Sequence, residues 1–68
     1  MELSARNKIK GKISEIKLGD VMAKISIKIA GDTIMSSVIT VDSAEDLKLK
    51  VGDEVYAIVK STEVMIGK

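Results

Sequence analysis

From Val21 to Ile29 the chain alternates strictly: Val21, Ala23, Ile25, Ile27 and Ile29 take every second place, and Met22, Lys24, Ser26 and Lys28 fall between them. A period of two puts one set of side chains on each side of a pleated strand, so this segment reads as a strand with one face in a core. The composition agrees, with ten Ile and seven Val in 68 residues, and β-branched side chains suit a pleated, half-buried surface. A second alternation starts earlier: Ile9, Gly11 and Ile13 share one face, and Lys10, Lys12 and Ser14 share the other. Ile16 falls out of phase, which predicts a β-bulge near Gly11 or Ser14.

The turns are legible between these runs. LGD, Leu18 to Asp20, reads as one, and AGD, Ala30 to Asp32, as a short hairpin turn in which Gly31 takes a positive φ. Thr33 to Val41 is a third strand with apolar residues on both faces: Ile34 and Val38 on one, Met35, Ile39 and Val41 on the other. Such a strand in so small a chain implies that one face meets another subunit. DSAEDL, Asp42 to Leu47, reads as a helix of a turn or two, capped by Asp42 or Ser43, with Glu45 or Asp46 completing a capping box. KVGDE, Lys50 to Glu54, turns the chain into a fourth strand, Glu54 to Lys60, and Val64 to Ile66 is a short fifth. Three strands, a helix and two strands predict an all-β chain: a five-stranded Greek-key barrel of the OB type, with one short helix between strands 3 and 4. An SH3-like barrel is the alternative.

A chain this short forms one domain, residues 1–68, and buries only about 60% of the surface it exposes when unfolded. It has no Cys and no His, which excludes disulfides and the usual zinc ligands, so self-association is the expected source of extra stability. Net charge is +1, too balanced for a general polyanion binder. Glu2 follows Met1 with no basic stretch leading into an apolar one, no apolar run approaches a membrane span, and a cytoplasmic protein is expected.

Catalysis has little to stand on, because a chain without His or Cys lacks the common general base and the thiol nucleophile; an enzyme is not expected. Asp42, Glu45 and Asp46 cluster, but capping and dipole matching at a helix start account for them better than a divalent cation. Lys8, Lys10 and Lys12 form a basic stripe, better read as the solvated face of the first strand than as an RNA track, since Tyr56 is the one aromatic residue. The remaining polar residues gather at three places: Ser4, Arg6 and Asn7 before the first apolar strand, Thr40 and Ser43 about the helix start, and Lys60, Ser61 and Thr62 after the fourth strand. Hydroxyls, an Arg, a Lys and free backbone N–H groups are what a small oxyanion needs. Each alone has an ordinary reading as strand-end solvation or capping.

SARNKIKGKI, Ser4 to Ile13, and VKSTEVMIG, Val59 to Gly67, together resemble the two signatures of the molbindins, the small Mop-type molybdate-binding proteins; IAGDT and ITVDSAEDLKLKVGDEV fit as well. The likeness covers essentially the whole chain at the length of one repeat. It implies an oxyanion site built from Ser4 and Arg6, from Lys60 followed by Ser61, and from Thr40 and Ser43. It further implies molybdate as ligand, with tungstate able to take its place, a homohexamer arranged as a trimer of dimers, and sites between subunits. A second type of anion site near the threefold axes is also implied, where the turn Lys17 to Asp20 is a candidate despite the charge of Asp20. The role so implied is intracellular molybdenum storage or homeostasis, with no nucleic acid or membrane partner. Two rivals stand beside it: a small OB-fold RNA-binding protein, and a purely structural oligomerisation module.

Overall fold

The computed structural model describes residues 7–68. Four strands and one short helix follow in the order β1 (Asn7–Leu18), β2 (Met22–Lys28), β3 (Ile34–Thr40), α1 (Val41–Asp46) and β4 (Glu54–Val59), and a single 3-10 turn, Ser61–Glu63, comes after β4. The strands form one curled antiparallel sheet in the order β3-β2-β1-β4.

β1 organises the sheet because it is long enough to be shared. Its first half pairs with β4, from Asn7↔Val59 to Lys12↔Glu54, and its second half pairs with β2, from Lys12↔Lys28 to Leu18↔Ala23. The expected bulge lies between Ile13 and Glu15, which leaves Ser14 as the extra residue and brings Ile16 back to the inner face. At the changeover β1 passes very close to β2: a Cβ built on Gly11 would stand 2.6 Å from Ile27 Cγ2 and 2.7 Å from the Lys28 carbonyl oxygen. Only a residue without a side chain fits there.

The inner face carries the core. Ile13, Ala23, Ile25, Ile27 and Ala44 are buried, and Ile16, Ile29, Ile39, Val41, Leu49, Val55 and Ala57 pack against them. Within β2 the alternation does what its period requires at Ala23, Ile25 and Ile27, whereas Val21, before the strand, is exposed and Ser26, from the other set, is buried. On the outer face two like-charged pairs stand directly opposite each other, Lys12↔Lys28 and Lys17↔Lys24, an arrangement that costs stability unless charge is supplied nearby.

α1 begins earlier than expected, and its cap is Thr40 rather than Asp42 or Ser43. Thr40 has extended backbone angles (φ −73°, ψ 151°), and its side chain accepts the Ser43 N–H, which is the geometry an N-cap needs. The Val41 N–H donates to the Val21 carbonyl, which ties the helix start to the entry of β2. Past the helix, Asp53 Oδ2 accepts the Lys50 N–H and the Asp53 N–H donates back to Lys50. This turn is fastened to β1 by Ile13 N–H to Asp53 O at 3.0 Å and Gly52 N–H to Ile13 O at 2.8 Å.

Val64 to Ile66, expected as a fifth strand, forms no ladder. The chain leaves β4 through the 3-10 turn and stays extended at Val64, but no edge of the sheet takes it up. Among the described residues β3 and β4 each pair on one side only, and Met65 and Ile66 are almost fully exposed.

Candidate functional site

Ser4 and Arg6 lie outside the described residues. The other four candidates form two pairs, set by the strands that carry them.

The first pair is Thr40 and Ser43. Thr40 ends β3 opposite Met22, and the turn of α1 brings Ser43 back over it: the Thr40 hydroxyl donates to Ser43 Oγ at 2.8 Å and accepts the Ser43 N–H at 3.0 Å. Thr40 is thus occupied in capping. Ser43 Oγ, holding one hydrogen bond as acceptor, still has its own proton to donate outward. Both residues are exposed.

The second pair is Lys60 and Ser61, where β4 gives way to the 3-10 turn. Lys60 keeps an extended backbone (φ −65°, ψ 137°) and makes no side-chain cap to the turn. Among the described residues neither Lys60 nor Ser61 has a side-chain hydrogen bond or ion pair, and both are exposed. Next to them Asn7 Nδ2 donates to the Val59 carbonyl at 3.1 Å, closing the first rung of the β1–β4 ladder with a side chain.

The two pairs are at opposite ends of β1. Lys60 follows Val59, which pairs with Asn7 at the first residue of β1; Thr40 pairs with Met22, in the hairpin that follows Leu18 at the last. A strand rises roughly 3.3 Å per residue, so the 12 residues of β1 separate the two pairs along the strand.

The other readings lose ground on the same geometry. Among the described residues no three His, Cys, Asp or Glu side chains gather to hold a metal ion, so Asp42, Glu45 and Asp46 form no cation site. The stripe of Lys8, Lys10 and Lys12 faces Ile58, Tyr56 and Glu54 across the ladder. Lys10 is paired with Glu54 at 3.7 Å in full view of solvent, an ion pair of small worth. One half-exposed tyrosine makes no stacking surface for bases. A hollow of about 570 Å³ lies beside the Lys60 end, lined by Asn7, Lys8, Ile9, Met35, Val59 and Val64; its mostly apolar wall suits no dianion. No helix of the described residues is long and apolar enough to cross a membrane. The contact that sequence reasoning missed is Asn7 to Val59, since nothing local in SARN announces a partner 52 residues away.

Comparison with known proteins gives one consistent picture. The TOBE domain family matches residues 3–66. Molybdenum-pterin-binding protein 3 of Clostridium pasteurianum is 48% identical over 66 residues, which is 97% of each chain. The solved structure of a molybdate-binding protein from Sporomusa ovata superposes with a TM-score of 0.94 at 44% identity over 100% of both chains. The cytoplasmic molybdate-binding protein ModG, solved with molybdate bound, superposes with a TM-score of 0.83 at 43% identity, over 90% of this chain and 43% of its own.

Proposed function

The chain belongs to the TOBE domain family, among its Mop-type molybdate-binding members, and from that premise we propose that it binds molybdate reversibly at sites completed between copies of itself. Molybdate is its ligand; tungstate, close in size and charge, binds as well. The anion is a tetrahedral dianion with four acceptor oxygens and no proton at neutral pH. Arg6 and Lys60 balance its charge, and Ser4, Ser61, Ser43 and local amides supply neutral donors, with Thr40 holding Ser43 in place. A site made only of donors also disfavours monohydrogen phosphate, whose proton needs an acceptor. The anion leaves chemically unchanged, so the chain is no enzyme. Its role is intracellular storage or homeostasis of molybdenum in the cytoplasm.

The observation that carries the reading is the separation of the two donor pairs along β1. Two facts support their meeting across copies: β3 turns Ile34 and Val38 outward, both substantially exposed, and the apolar tail Val64 to Ile66 is uncovered. The finer architecture we propose is the one the family resemblance implies: a homohexamer built as a trimer of dimers, with the strand order β4-β1-β2-β3 read as a Greek key and the tail reaching strand form only on association.

Calorimetric titration with molybdate tests the site. Arg6→Ala and Lys60→Gln each weaken binding by roughly 1.5–3 kcal/mol, the range for hydrogen bonds to charged groups; unchanged affinity removes the residue from the site. A mixing experiment tests its division between copies. Lys60→Gln and Ser43→Ala chains, each weak alone, are unfolded and refolded together. Mixed assemblies then contain some sites with both defects and some with neither, so a tight-binding fraction returns. If none returns, Lys60 and Ser43 do not meet across copies.

A further inference from the structure

Molybdate is surrounded by lone pairs, so a backbone carbonyl left facing it repels it where an N–H attracts it. The turn after β4 is notable for where its carbonyls go. The Lys60 carbonyl accepts the Glu63 N–H at 2.9 Å, and the Ser61 carbonyl is approached by the Val64 N–H at 3.5 Å. The carbonyl just before them, that of Val59, accepts Asn7 Nδ2 at 3.1 Å. Three consecutive acceptors are therefore engaged, while the side chains of Lys60 and Ser61 carry no partner among the described residues. Two of the three bonds belong to the turn's own backbone. The third is made by a side chain from the far end of the sequence, in a partly buried position.

We propose that Asn7 is a positioning residue of the oxyanion site: its side-chain amide occupies the Val59 carbonyl and locks the start of β1 to the strand end that carries Lys60, so that this end offers the anion donors alone. This rests on the reading of Arg6 and Lys60 given above and adds to it. A carbonyl has no proton, so the nitrogen of the amide is the atom that faces Val59. Asn7 directly follows Arg6, and Val59 directly precedes Lys60. The bond therefore ties Asn7, across 52 positions, to the residue directly before Lys60. Asn7 and Val59 are partners at the first position of the ladder, and the side-chain bond is what fastens them there.

Titration of the full chain with molybdate, alongside thermal melting and measurement of oligomer mass, tests this. Asn7→Ala lowers affinity about tenfold, the worth of one ordinary hydrogen bond, with oligomer mass like the parent's and a melting temperature lowered only by the few degrees that the loss of one such bond brings. Asn7→Ser, which keeps a donor on a shorter stem, recovers part of the loss. A positioning role also predicts coupling: the double variant Asn7→Ala, Lys60→Gln binds scarcely more weakly than Lys60→Gln alone, because Asn7 acts through the ammonium it places. Full affinity in Asn7→Ala, or strict additivity of the two losses, overturns the proposal. If Lys60→Gln itself binds normally, it is the underlying site that fails. Should Asn7→Ala not fold, the Asn7→Ser titration decides by the same criteria.

Discussion

Replacing Gly11 with alanine places a methyl carbon 2.6 Å from Ile27 Cγ2, 2.7 Å from the Lys28 carbonyl oxygen and 3.1 Å from Ile29 Cγ2. Carbon atoms rest against each other at roughly 3.5–4.0 Å, so the first contact is about an ångström too short. Ile27 is 6% exposed and packed into the core, which leaves its methyl little room to withdraw. Lys28 is met through its backbone, so relief on that side requires β2 itself to move away from β1. Overpacking of this kind costs about 1–3 kcal/mol, and two short contacts place Gly11→Ala in the upper half of that range. Alanine also narrows the unfolded ensemble, which returns about 0.4–1 kcal/mol. The clash wins, with a net loss of about 1–2.5 kcal/mol. For a domain of this size each kcal/mol moves the melting temperature by about 4–8 °C, so the variant should melt roughly 4–20 °C below the parent. The assay is thermal unfolding followed by circular dichroism, with all proteins at one concentration because association shifts the midpoint. Gly67→Ala is the control: its Cβ meets nothing within 4 Å, and it should melt with the parent. If Gly11→Ala also melts with the parent, β1 does not pass β2 as closely as described.

Two further outcomes follow from the fold. Ile13→Ala empties a side chain that is 2% exposed, beside the backbone bonds that hold the 50–53 turn, and should cost about 2–5 kcal/mol in a denaturant titration. Thr40→Ala removes the cap of α1 and the support of Ser43 together. It should lose about 0.5–2 kcal/mol of stability by the same titration and weaken molybdate binding in calorimetry, whereas Asp42→Ala should leave affinity intact.

The sequence alone disclosed what depends on local period. The alternation around Ile25 and Ile27 gave β2 its buried face, and the phase slip at Ile16 announced the bulge at Ser14, because both are settled by which side of a pleat a residue takes. Capping was harder. Thr40, Asp42 and Ser43 all have side chains able to cap, and what chooses Thr40 is its extended backbone at the end of β3, which in turn depends on pairing with Met22. Val64 to Ile66 looked like a strand because its side chains suit one, but a strand needs an edge to pair with, and edges are assigned by the whole sheet. The candidate site divides in the same way. That Lys60 and Ser61 carry unengaged donors was readable from their chemistry. That Asn7 clamps the strand beside them, and that Thr40 and Ser43 stand at the other end of β1, follows from register alone.

Among the described residues β3 and β4 pair on one side only, and an unpaired strand edge is a template for an extended peptide that arrives. A solitary copy is therefore open to wrong neighbours as well as right ones, with Ile34 and Val38 beside one of those edges. Charge stands guard at the β2–β3 hairpin, where Lys28 and Asp32 form an ion pair at 3.3 Å. In the proposed assembly, partial dissociation at working concentration exposes these edges to misassembly, and a saturating anion that holds the copies together should suppress it.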